Sequence, residues 1–214
     1  MDNIYQSPES ELIEQKTPEY KPTDYNPWLS IWLKPHATMR QILATDPNKS
    51  VFMLVILGGF ANTFSNANEG QIPYGFIGLV ITALIGGAII GFIFWLLYSS
   101  LINITGRWLG GQGNWEEVRC AVAWANVPLI WMLVVEVPFY LLFNQLPTHN
   151  EYIYYGLLYG TALVLLVVSI WSVFTFCHCV GEAHKFSAWK ALGSTLISLV
   201  LILGPVIGLI LLFS

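Results

Sequence analysis

The sequence predicts an all-α, polytopic membrane protein with five transmembrane helices and a short amphipathic interfacial segment before the first. Three observations carry this prediction. Only 10% of the 214 residues are charged and 55% are hydrophobic, whereas a soluble domain carries about 25% charge because its surface must face water. Charge-free runs recur over residues 50–68, 70–106, 120–135, 152–181 and 191–214, and a span needs roughly 20 mostly apolar residues. Finally, every Lys and Arg falls on one side of the layout that these runs define.

The first 25 residues hold six acids and no apolar run, which predicts a polar, disordered cytoplasmic tail over 1–25 and no signal peptide. Within it, Asn3-Ile4-Tyr5-Gln6-Ser7-Pro8 could serve as a docking peptide for a cytoplasmic protein. The tail also supplies much of the net charge of −4. The chain therefore has no basic face for nucleic acid.

Residues 26–48 form the interfacial segment. Asn26 can cap a helix that has Pro27 at its first position. Trp28 and Trp32 are four residues apart and share a face. A second short helix can start at Pro35 and present Met39, Ile42 and Leu43 on one side. Tryptophans flanked by Lys34 and Arg40 suit the headgroup layer, so these four residues are read as an interfacial anchor.

Residues 49–214 form the transmembrane domain, with spans at about 50–66, 74–102, 119–143, 153–180 and 190–213. The first is marginal in length and contains Asn62 and Asn66. The third contains one acid, Glu136. With five spans, the tail, the 103–118 loop, the 181–189 loop and their flanks carry all nine Lys and Arg. The 67–73 loop, the 144–152 loop and the C-terminus carry none. The positive-inside rule then puts the N-terminus in the cytoplasm and the C-terminus outside. The three cysteines, Cys120, Cys177 and Cys179, fall near cytoplasmic ends, where thiols stay reduced.

Soluble-enzyme motifs are absent: there is no Walker loop, no Gly-x-Ser-x-Gly and no His-Glu-x-x-His. The chain is expected to be no enzyme and to need no cofactor. Attention falls on polar groups at membrane depth, where an acid costs roughly 2.5–3.5 kcal/mol on translocon scales. Glu136 lies about 25 Å beyond Arg119 at helical rise, between Pro128 and Pro138. Asn126 returns to within about 80° of it around a helix. Glu136, Asn126 and Asn62 are therefore read as one intramembrane polar site. Its functional reading is a proton or cation site. Its structural reading is an acid bonded to a neighbouring helix or snorkelling to the interface.

Cys177-His178-Cys179, Glu182 and His184 gather metal-capable groups at the inner end of the fourth span. No zinc spacing is matched, so no metal is assigned; His178, Glu182 and His184 stand as weak candidates, with Gly181 expected to fray the helix. Three Gly-x-x-x-Gly pairs, Gly87/Gly91, Gly156/Gly160 and Gly204/Gly208, are read as packing surfaces within the bundle rather than dimer faces. Ala83 extends the first pair.

The loop into the third span reads Leu109-Gly110-Gly111-Gln112-Gly113-Asn114-Trp115-Glu116-Glu117-Val118-Arg119, and continues Cys120-Ala121-Val122-Ala123-Trp124-Ala125-Asn126-Val127-Pro128. Its glycines make a turn, Asn114 caps a helix and Glu117 closes a capping box. This pattern resembles the bacterial branch of the Ypt-interacting-protein (Yip) domain family. Trp28 to Leu43 is similar to the family's opening, with Lys34-Pro35 and Met39-Arg40. Ala183 to Leu192 is similar to the entry to its last span. The resemblance covers about residues 26–212.

It implies five spans, a cytosolic N-terminus and an opposite C-terminus. Eukaryotic members bind Rab-type GTPases and act in vesicle traffic and membrane shaping. Their acidic-tyrosine-glycine-proline stretch is not visible here. The reading reached is a membrane-organising or partner-recruiting protein of a bacterial inner membrane, with the bilayer as its first partner and a homo-oligomer as a second. The alternative is a small channel or transporter-like bundle that passes protons, cations or a small solute at Glu136.

Overall fold

The structure, a computed structural model, describes residues 25–66, 75–143 and 151–213. Among these every regular element is a helix. The tail through residue 24, with its docking peptide, lies outside the described residues, as do most of the 67–73 and 144–152 loops.

Helices α1 (Pro27–Leu33) and α2 (Pro35–Thr45) form a hairpin. Asn26 Oδ1 accepts from the Trp28 amide at 3.1 Å, and Pro27 and Pro35 each open a helix. Both prolines sit where the missing N–H would have no helical partner anyway. Asp46 and Lys49 then precede α3 (Val51–Ser65).

α3 is followed by α4 (Gly75–Thr82), a π-helical turn at Ala83–Gly87 and α5 (Ala88–Trp108), which together make one continuous rod. The expected 74–102 span therefore runs on to Trp108. The expected 119–143 span is not one helix. It divides into α6 (Trp115–Trp124), α7 (Val127–Trp131) and α8 (Leu133–Phe143). Pro128 has no N–H for the Trp124 carbonyl and its ring would crowd that group, and the chain turns at Ala125–Asn126 just before it.

α9 (Glu151–His184) and α10 (Ala188–Phe213) complete the fold. Gly181 does not fray α9. The helix stops four residues later, where Lys185 adopts a left-handed φ of 57° and the Phe186 amide donates back to the Gly181 carbonyl at 2.9 Å. That closure satisfies the last carbonyls of the helix.

Among the described residues four helical stretches are long and apolar enough to cross a bilayer: Gly75–Trp108, Trp115–Leu142, Tyr155–His184 and Ala188–Leu212. α3 is apolar but shorter. Its 15 residues rise about 22 Å, against a hydrocarbon core of about 30 Å.

The packed core sits at the end of the bundle where Arg40, Arg107, Arg119, Lys185 and Lys190 lie. Ile31, Met39, Leu54, Ile102, Val118 and Val180 are fully buried there, from six different helices. Cys120, Cys177 and Cys179 are free thiols buried in the same core. Thr105 of α5 joins Ser194 and Ser198 of α10 through hydroxyl contacts of 2.7 and 2.9 Å. Toward the opposite end α9 and α10 bare their apolar side chains, as Leu163, Leu166 and Leu212 illustrate. An exposed apolar surface of this extent belongs in lipid.

Candidate functional site

α3 packs against α5 through glycine. A Cβ on Gly91 would stand 2.6 Å from the Gly59 Cα, and one on Gly87 would stand 2.6 Å from the Gly59 carbonyl oxygen. Only glycine allows backbones to approach so closely. Gly87 and Gly91 thus pack inside the bundle, and Ala83 of the same stripe is fully buried. Gly156, Gly160, Gly204 and Gly208 do not follow the expectation. Nothing among the described residues lies within 4 Å of a Cβ built on any of them. Their helices face outward along those stretches.

Two cavities of about 290 and 220 Å³ adjoin α3, the larger between α3, α5 and α6 and the smaller between α3, α7, α8 and α9. Gly58, Asn62 and Asn126 line both. Gly58 helps open the space, because a Cβ there would touch Asn126 at 3.7 Å. The Asn126 Nδ2 donates to the Val122 carbonyl at 2.9 Å.

Glu136 lines the smaller cavity and is only 8% exposed. Its Oε2 stands 2.6 Å from the Ser65 Oγ, at the last turn of α3. The structure thus brings Glu136, Asn126 and Asn62 around one cavity, and adds Ser65. Asn126 lies at the break between α6 and α7 and Glu136 on α8, and both line that cavity. A straight helix would leave them ten residues, or about 15 Å, apart along its axis.

In the interfacial segment the two tryptophans turn toward protein. Trp28 and Trp32 are half-buried against the core, and the Trp28 ring meets Trp124 edge-on at 5.7 Å. The residues that α1 turns outward are Leu29, 58% exposed, and Leu33, 81% exposed. The tryptophans face protein because Ile31, Met39 and Ile42 fix which side of the hairpin joins the core. Lys34 lies 4.8 Å over the Tyr25 ring.

Contacts at two points fix the hairpin along α9. The Trp171 indole N–H donates to the Trp32 carbonyl at 2.9 Å. Eleven residues further along α9, Glu182 accepts from Arg40 Nε at 2.7 Å and Nη2 at 3.3 Å, and meets His36 Nε2 at 2.6 Å. The hairpin therefore follows the half of α9 that ends at His184 for about 16 Å.

The same contacts separate the weak metal candidates. Glu182 is engaged by α2, and His178 bonds the Phe174 carbonyl through Nδ1 at 2.9 Å. His184 is fully buried under the glycine-rich loop. A Cβ on Gly111 would come within 2.5 Å of its Nδ1, and one on Gly106 would clash with its Nε2. The Gln112 amide donates to the His184 carbonyl at 3.0 Å. Among the described residues no three His, Cys, Asp or Glu gather as a metal site.

A family model of the Yip1 domain matches residues 29–210. The chain belongs to the Yip1 domain family. No curated protein and no solved structure matches it.

The Yip1 match begins at Leu29 and ends at Ile210, so it takes in the α1–α2 hairpin with the spans. The hairpin is part of the domain and not an appendage of the tail. The protein is an integral, multi-pass membrane protein of a family not known for catalysis.

Sequence reasoning missed Gly59 as the partner of Gly87 and Gly91, Glu182 as the anchor of α2, and His184 as the plug beneath the loop. Only the adjacent pair Gly58-Gly59 in a predicted span could have signalled the first. The other two depend on contacts between distant segments.

Proposed function

We propose that this Yip1-domain protein is a non-enzymatic organiser of the bilayer, in the bacterial branch of its family and in the cytoplasmic membrane. Its N-terminus is cytoplasmic and its C-terminus outside. The nine basic residues on one side support that orientation. The observation that carries the function is the α1–α2 hairpin. It is fastened alongside the half of α9 that ends at His184 and turns Leu29 and Leu33 away from the protein.

Leaving two leucines in water forgoes about 1.5–3 kcal/mol each relative to burial. Lipid of the inner leaflet is the environment that removes this cost. The hairpin then adds cross-section to the inner leaflet that α9 and α10 do not match in the outer one. An insertion of this kind binds in a curvature-sensitive way. The tail of residues 1–24 is the proposed docking element for a cytoplasmic partner, and the uncovered stretches of α9 and α10 leave room for a second copy.

Reconstitution into giant vesicles from which thin membrane tubes are drawn tests this reading. The wild-type protein should differ at least twofold in density between tube and flat membrane. Leu29→Ser/Leu33→Ser should lose that difference while remaining folded. Equal density for the wild type contradicts the reading. Steady proton or cation leak through such vesicles would favour the passage alternative at Glu136.

A further inference from the structure

The smaller cavity asks for an occupant that the organising function does not supply. Glu136 stands in it, 8% exposed, with no ion-pair partner among the described residues. No Lys, Arg or His lines the cavity. Its depth follows from α3. Counted from Val51, just beyond Lys49, the helix ends about 8 Å short of the far face of a 30 Å hydrocarbon layer. Ser65 is in that last turn and touches Glu136. The carboxyl therefore lies inside the outer half of the bilayer, where an uncompensated charge is costly.

The groups around it are oxygen donors. Ser65 Oγ reaches both Glu136 Oε2 and the Ala61 carbonyl, at 2.6 and 2.9 Å. Asn126 commits one Nδ2 hydrogen to the Val122 carbonyl, and its side-chain amide is part of the lining. Asn62 and Ser169 add an amide and a hydroxyl to the lining. The volume of about 220 Å³ far exceeds the ~15 Å³ that one water needs.

We propose that the cavity bounded by Glu136, Ser65, Asn62, Asn126 and Ser169 binds one monovalent cation, an alkali metal ion or a primary ammonium group. Charge decides the valence. One carboxylate with neutral oxygens makes a neutral complex with a single positive charge. A divalent ion would leave a net charge in a low-dielectric site, and calcium sites usually gather 6–8 oxygens. Chemistry decides the class. Hard oxygen donors without thiolate or imidazole suit alkali ions and ammonium rather than zinc or copper. An ammonium could come from solution or from an aminophospholipid headgroup.

The experiment uses the full chain in nanodiscs made of a lipid without amines. It is held at constant ionic strength in N-methylglucamine chloride, whose large polyhydroxylated cation serves as the reference. Sodium, potassium, methylammonium, ethanolamine or calcium replaces that cation stepwise while Tm is read. The proposal predicts a saturable rise of roughly 3–8 °C with at least one small monovalent cation. Glu136→Gln, which keeps the shape of the side chain and its contact to Ser65, should abolish the rise. Should that variant fail to fold, Asn62→Ala serves, because the Asn62 side chain makes no hydrogen bond among the described residues; it should weaken the apparent affinity about tenfold.

A response to sodium or potassium alone identifies a metal ion as the occupant. A response to the amines alone points to an ammonium, including that of a lipid headgroup. No saturable rise in the wild type, a rise undiminished in the variant tested, or a larger response to calcium than to any monovalent ion overturns the proposal.

Discussion

Gly59 and Gly87 meet backbone to backbone. A single methyl group on Gly87 would stand 2.6 Å from the Gly59 carbonyl oxygen, and one on Gly59 would collide with the Gly87 carbonyl. Because rigid backbone lies on both sides, no side chain can move aside. Gly59→Ala and Gly87→Ala should each destabilise by about 1–3 kcal/mol, the range for overpacking. Gly156→Ala and Gly204→Ala meet nothing and should be neutral, or slightly stabilising through helix propensity. Reversible unfolding in mixed micelles separates the two classes.

His184 fills the space that Gly106, Gly111 and Gly113 leave open. Gly106→Ala should therefore be strongly destabilising in the wild type, by about 2–3 kcal/mol. His184→Ala alone should also destabilise, because it opens a cavity. In combination the two should cost less than their sum, since the truncated imidazole admits the new methyl group. A double-mutant cycle measures the coupling, and simple additivity would show that the loop does not rest on His184.

The bidentate contact from Arg40 to Glu182 ties α2 to the end of α9, with His36 on the same carboxylate. Arg40 and His36 are half exposed, whereas the Glu182 side chain is 15% exposed. Solvent screening limits what such a pair contributes. Glu182→Gln should cost about 1 kcal/mol at low salt, and less at 1 M salt. A cost that does not change with salt would mean that packing, not charge, holds the hairpin at this end.

Local chemistry was readable from the sequence wherever a short segment decides its own structure. The Asn26 cap, the prolines at Pro27 and Pro35, and the Asn114–Glu117 capping box all occur where their side chains demand them. The apolar runs locate the helices to within a few residues, except that α5 and α9 continue beyond the charge-free stretches to Trp108 and His184. α9 continues because its end is buried in protein, which hydropathy does not register, whereas α5 ends on the exposed Arg107 and Trp108.

The polar cavity was half legible. Rotation about one helix axis brings Asn126 toward Glu136, but the break at Ala125–Asn126 and the Ser65 contact need the tertiary fold. The direction of the tryptophans was not legible. Amphipathic spacing gives two faces to α1 and α2, and only the position of the core decides which face it takes. Metal-like spacing at His178, Glu182 and His184 says nothing of the partners that each finds instead, since Arg40 lies 142 residues from Glu182.

The account depends most on the α1–α2 hairpin lying in the inner leaflet with Leu33 in lipid. A spin label at Leu33→Cys, with the three native cysteines buried, reports this through its relative accessibility to oxygen and to a water-soluble nickel chelate. A label at Leu166, on the bare face of α9, gives the lipid reference, and one at Gln112 gives the water reference. The account predicts that the Leu33 label is oxygen-rich and nickel-poor, close to the Leu166 value. A Leu33 label as open to nickel as the one at Gln112 would contradict it.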